Sequence, residues 1–161
     1  MKIIRHFFKI TKHRFLVRKY CFKCGLIWQG LVHDLSKYSP TEFFKGAKYY
    51  AGIYSPHHNE RKEKGYSLAW MHHKGRNKHH GEYWLDYNMV EKKYTPVQMP
   101  KKFIVENVCD RIAASKIYWK KNFTSSTPLD YFLGEKNTII MHEETKKTIE
   151  YLLTMYKDEG P

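Results

Sequence analysis

A chain of 161 residues with 42% apolar residues is long enough for one domain with a real core and too apolar to be disordered throughout. Its 29 Lys and Arg against 16 acids give a net charge of +13, which favours a polyanionic partner: a nucleotide, nucleic acid or anionic membrane surface. No run approaches ~18 apolar residues, and Met1-Lys2-Ile3-Ile4-Arg5-His6 is too interrupted by charge for a secretory signal, so a cytoplasmic protein without a membrane partner is expected.

The helical period begins at once. Ile3, Phe7, Ile10, Arg14, Val17, Cys21, Cys24 and Trp28 recur every three or four positions, predicting one long helix or two abutting ones over residues 3–29. His13 borders this stripe, and His6 lies one heptad earlier. Cys21 and Cys24 form a C-x-x-C with no second pair to complete a four-thiolate zinc site. At core-facing spacing they read as small buried hydrophobes, and three cysteines with no disulfide framework fit a reducing compartment.

Gly30-Leu31-Val32-His33-Asp34-Leu35-Ser36-Lys37 follows. An imidazole and a carboxylate side by side at the end of an apolar run are costly to bury unless something pairs with them. A divalent metal is such a partner. Ser39-Pro40-Thr41-Glu42 is a capping box with Pro at the first helical position, and predicts a helix running to about Gly52. Residues 54–64 read as a polar loop. A helix opening at Ser67 then leads into His72-His73-Lys74-Gly75-Arg76-Asn77-Lys78-His79-His80, four histidines in nine residues.

Continued as a helix, this segment puts His73, Asn77 and His80 on one face and His72, Arg76 and His79 on the next. One His pair would then point inward and the other stay at the surface; Gly75 weakens such a helix by about 1 kcal/mol relative to Ala. Residues 86–99 read as a second loop, rich in Tyr, Lys and Pro. Pro100 starts a helix to about Lys121, on which Asp110 shares a face with Phe103, Ala114 and Ile117, where a bare carboxylate is not expected. Residues 122–141 read as irregular, and Glu143 to about Lys157 as a last amphipathic helix. With no run of strand alternation, the fold class is all-α, in one domain over residues 1–161.

The ligand-type residues thus occur in the order His13, His33-Asp34, His73, His80, Asp110, mostly on separate elements, which favours a metal site over a chance cluster. That order resembles the HD-domain superfamily of metal-dependent phosphohydrolases, whose pattern is His … His-Asp … Asp on a helical scaffold. Gly30 to Lys37 and Val108-Cys109-Asp110-Arg111-Ile112 resemble its His-Asp turn and its final Asp-Arg helix. The resemblance implies an HD-like helical bundle with His13, His33, Asp34 and Asp110 as metal ligands, His6 being the alternative first ligand. It implies a second site completed by His73 and His80, or by His72 and His79.

More narrowly, His33 to Phe43 and Ala69 to His80 resemble an uncharacterised family of bacteria and their phages, a domain of unknown function. The expected activity is hydrolysis of a phosphoester in a nucleotide or nucleic acid. One or two divalent ions would serve it, with Mn, Fe, Zn, Mg and Ni not distinguished. Lys37, Lys74, Arg76 and Lys78 are the cations expected to neutralise developing charge. The rivals are a non-catalytic nucleic-acid-binding protein and a di-iron oxidative enzyme. Nothing in the sequence fixes the oligomeric state.

Overall fold

The computed structural model describes residues 2–160. Helices α1 (Lys2–Lys23), α2 (Ile27–Val32), α3 (Pro40–Lys48), α4 (Pro56–Lys64) and α5 (Leu68–Lys74) come first. A hairpin of β1 (Leu85–Asn88) and β2 (Lys93–Pro96) separates them from α6 (Lys101–Trp119), α7 (Thr127–Glu135) and α8 (Glu143–Glu159).

The expectation of an all-α, HD-like bundle is therefore corrected: the chain is mostly helical with a small antiparallel sheet. Leu85 pairs with Pro96 and Asn88 with Lys93. Asn88 Oδ1 accepts from the amides of Val90 and Glu91, and Lys92 takes the left-handed conformation at φ 51°. Tyr87 and Tyr94 face each other across the strands with ring centroids 5.6 Å apart. Four-residue strands are too short to display a period of two against a polar background, so this segment reads as a loop. Two further segments taken as irregular are helical: residues 54–64 contain α4, and 122–141 contain α7.

Helix α6 is the centre of the packing. One side of it meets α7 and α8 around Ile104, Val108, Ile112, Leu129, Phe132 and Ile149. Another meets α1 through Cys109 and Ala113 against Val17 and Cys21. The stripe expected on α1 is only half right. Ile10, Val17 and Cys21 are buried, as are His6 and His13, whereas Ile3, Phe7, Cys24 and Trp28 are exposed. Period alone cannot rank two apolar faces on one helix, and the packed face is the one that carries the histidines.

Helix α1 ends at Gly25, at φ +73°, and α2 folds back on it. Gly30 permits this approach, because a Cβ there would come within 3.0 Å of the Phe22 ring and 3.1 Å of Cys21 Cβ. Ser39 caps α3 by accepting from the Glu42 amide at 3.4 Å. The capping box is only half formed, because the Glu42 side chain turns to His72 and His73 instead.

Candidate metal centre

Four segments meet at one buried point. Helix α1 brings His13, and the end of α2 brings His33 and Asp34. Helix α5 with the turn after it brings His73, His79 and His80, and α6 brings Glu106 and Asp110. Asp34 is in the left-handed conformation at φ 53°, a strained position for any residue but Gly and tolerated best by Asp and Asn. It lies between α2 and the one-turn 3₁₀ helix Leu35–Tyr38, and its carboxylate is wholly buried.

The two Asp34 oxygens face different partners. Oδ2 lies 3.5 Å from His13 Nε2 and 3.3 Å from His33 Nε2. Oδ1 lies 3.3 Å from His73 Nε2 and 3.5 Å from His79 Nε2. Asp110 closes both sides, with Oδ1 2.9 Å from His13 Nε2 and Oδ2 3.7 Å from His79 Nε2. Three groups could each hold a metal ion, with ligand atoms all within 4.8 Å of one another: His13, His33, Asp34 and Asp110; Asp34, His73, His79 and His80; and His33, His79 and Glu106, whose facing atoms are instead occupied with each other. Asp34 belongs to the first two.

These atoms are close but not aligned on each other. His13 Nε2, His33 Nε2, His79 Nε2, His80 Nε2 and both Asp34 oxygens are buried without a partner in hydrogen-bonding geometry. A buried polar atom without a partner costs about 1–3 kcal/mol. Asp34 Oδ2 also pairs with the Lys37 ammonium, and the other five atoms gathered there are what a further cation would satisfy. Charge points the same way: Asp34, Glu42, Glu106 and Asp110 converge with Lys37 as the paired lysine. His and carboxylate donors suit Zn, Mn, Fe or Ni.

A further layer holds the imidazoles. Glu106 Oε1 receives Nδ1 of His33 at 2.9 Å and of His79 at 3.1 Å. Glu42 receives Nδ1 of His73 at 2.8 Å on one oxygen and of His72 at 2.7 Å on the other. Carboxylates that fix the Nδ1 proton leave Nε2 free to ligate, the usual arrangement behind metal-bound histidine. Glu106 sits one helical turn before Asp110, so its i, i+4 spacing was a readable signal. Glu42 was hidden because a capping box already gave it a local role.

Burial alone would raise the Asp34 and Asp110 carboxyls, but their His neighbours, with Lys37 beside Asp34, hold both well below the usual range. Burial works against a protonated His33, yet the Asp34 charge overrides it and raises that imidazole well above its ordinary value. His79 and His80 are lowered, by burial first and then by neighbouring imidazoles.

The expected His-rich helix is corrected. Helix α5 stops at Lys74, Gly75 caps it, and residues 76–80 form turns. His73, His79 and His80 therefore converge by chain reversal and not by helical period. His72 is held on Glu42 beside them. Asn77 locks the reversal, donating to the His73 carbonyl at 2.7 Å and to Ser36 Oγ at 2.8 Å.

A cavity of about 680 Å³ opens over the centre, reaching Lys37, His13, Asp110 and His80. Its wall carries Lys9, Arg61, Arg111 and the rings of Tyr50, Trp70 and Tyr118. Lys37 lines this wall, paired with Asp34. Lys74, Arg76 and Lys78 are not among its lining residues: Arg76 is exposed and donates to the His72 carbonyl, and Lys78 lies over the rings of Tyr83 and Phe103. The lining cations Lys9 and Arg61 were missed, since nothing in their local sequence distinguishes them from other surface charges, and Arg111 stood in the Asp-Arg motif without a role assigned to it. Arg111 is tied to Glu135 at 2.6 Å, and Arg61 lies over the Trp70 ring.

Among the described residues no helix is long and apolar enough to cross a membrane. The model of a family described as a family of unknown function (DUF5662) matches residues 2–155, so the chain belongs to that family. No curated protein and no solved structure matches the chain.

Proposed function

We propose that this DUF5662 member is a metal-dependent phosphohydrolase acting on a phosphoester of a nucleotide or nucleic acid. The observation that carries the reading is Asp34: one carboxylate, wholly buried, with each oxygen turned to the Nε2 atoms of a different pair of imidazoles, His13 and His33 on one and His73 and His79 on the other. His13, His33, Asp34 and Asp110 would hold one divalent ion, and Asp34, His73, His79 and His80 a second. When bound, such ions supply a water-derived nucleophile at neutral pH and draw off phosphoryl charge. The order His13, His33-Asp34, Asp110 resembles that of HD-domain phosphohydrolases, which supports this chemistry over structural zinc.

The chain's own groups do the rest. Glu106 and Glu42 hold the imidazole protons on Nδ1 and orient the rings. Lys37 sits at the cavity wall, with its charge held on by Asp34, where it would meet a phosphoryl oxygen. Arg61 and Lys9 add positive charge further out, and Tyr50, Trp70 and Tyr118 offer flat faces for a base. A buried floor with several cations on the wall selects an anionic ligand.

The test is elemental analysis of the purified protein, followed by hydrolysis of a nucleotide panel with each of Mn, Zn, Mg, Ni and Fe restored. Stoichiometric metal with turnover that Asp34→Ala abolishes supports the reading. An Asp34→Ala protein as active as wild type overturns it. Metal without turnover moves the balance to the nucleic-acid-binding rival, and iron with a visible absorbance band moves it to the oxidative one.

A further inference from the structure

The outer face of α1 is unpartnered and chemically uniform. Ile4, Phe8, Phe15 and Phe22 are all exposed, Phe8 at 65%. At 3.6 residues per turn they fall within a sector about 40° wide and ~27 Å long. The same arithmetic puts the buried residues His6, Ile10, His13, Val17 and Cys21 on the opposite side of the helix. So α1 carries two apolar faces, one packed and one bare. A bare apolar face of this length on a folded chain marks a docking surface.

The bare face has neighbours of the same kind. The Phe8 ring touches Phe7, which leads through Phe43 to the exposed Phe44 on α3. At the other end Phe22 lies against Gly30 of α2.

The charge around it has one sign. Helix α1 holds eight Lys and Arg and no acid: Lys2, Arg5, Lys9, Lys12, Arg14, Arg18, Lys19 and Lys23. The first acids in the chain are Asp34 and Glu42, and both are buried. Lys12 and Lys19 border one edge of the stripe by helical angle, where their stems can lie along it with the ammonium ends raised, and Arg18 borders the other with its guanidinium 5.3 Å from the Phe15 ring centroid.

We infer that this face of α1 docks the protein onto an anionic lipid surface. The one-signed charge argues against a second copy, since two α1 faces would bring like charges together. Aliphatic Ile4 beside the rings argues against stacked nucleic acid bases, which select flat faces alone. Bulky apolar side chains in one stripe with Lys and Arg along both borders match a helix lying in the headgroup region. Peripheral docking is compatible with the absence of a spanning run, on which the expectation of no membrane partner rests. The inference is independent of the metal centre, which faces the other side of α1.

The experiment is sedimentation of the full-length, metal-replete chain with vesicles of phosphatidylcholine alone or mixed with phosphatidylserine. Binding to the mixed vesicles, weakened by salt, is expected. Each cation close to such a surface contributes roughly a factor of five. Phe8→Glu combined with Phe15→Glu lowers partitioning at least about tenfold while circular dichroism and metal content stay as in wild type. As a second measurement, brominated lipid quenches the tryptophan fluorescence of Phe8→Trp more than that of wild type. The inference is overturned if mixed vesicles do not retain the wild type, if the double variant binds them equally well, or if the substitutions impair only oligonucleotide binding.

Discussion

Glu106 Oε1 lies 2.9 Å from Nδ1 of His33, a residue 73 positions earlier in the chain. The same oxygen lies 3.1 Å from Nδ1 of His79. Burial would raise the Glu106 carboxyl, but the bonds from His33 and His79 hold it below its ordinary value. The ionised carboxylate keeps a proton on each Nδ1 and directs each Nε2 to the centre. Glu106→Gln puts an amide that can present a donor in its place. Metal affinity is expected to fall about 10- to 100-fold, the usual effect of losing such a support. A binding isotherm unchanged by Glu106→Gln would show that the tautomer is set elsewhere.

Cations near the site divide by position. Lys37→Ala should keep metal content yet lower phosphoester turnover by about 10²–10³, roughly 2.7–4 kcal/mol, as for loss of one donor to a charged transition state. Arg76→Ala and Lys74→Ala should leave turnover within about twofold, because neither side chain lines the cavity and surface charges contribute little. Single-turnover rates with saturating metal separate these outcomes. A large loss in Arg76→Ala with Lys37→Ala unaffected would reverse the assignment.

Gly46 should resist the substitution that normally strengthens a helix. In an exposed helix Gly→Ala gains about 1 kcal/mol. At Gly46 on α3 a Cβ would collide with His6 Nε2. His6 cannot swing away, being buried with its ring against Phe43 and Tyr50. Gly46→Ala is expected to destabilise by about 1–3 kcal/mol in urea unfolding. Combining it with His6→Ala should recover most of the loss, and additive effects would mean the two residues do not collide.

The same histidine should make stability fall in acid. Burial first, and then the charges of Lys37 and Lys9, lower His6 from 6.5 to about 4. The unfolded chain therefore binds this proton more readily than the folded one, and stability rises with pH between these values. The contribution is full above about pH 6.5 and disappears as pH falls toward 4. It is worth up to about 3 kcal/mol. Urea unfolding of wild type and His6→Asn across this range, in excess chelator to remove metal effects, should converge as pH falls. Parallel curves would mean that His6 is protonated in the folded state as well.

The helix starts at Ser39 and Glu143, the α6 span and the ligand-type residues His13, His33, Asp34 and Asp110 were all legible in sequence, because caps, period and residue type act over a few neighbours. What tertiary structure decided was direction. Whether α1 buries Ile10 or Phe7 depends on which face α6 offers, and two apolar faces give the period no means to choose. The chain reversal after Lys74 replaces a helix that His72 to His80 would otherwise form, because Asn77 and Ser36, 41 positions apart, tie the turn to the Asp34 segment. Glu42 carries no local mark as a support, since its role lies in an imidazole 31 residues away, and Glu106 shows only its one-turn spacing from Asp110, not the imidazole 73 residues away that it holds. Residue types set which ligands are available, and long-range packing, with its loop-closure cost already met by the core, set which of them meet.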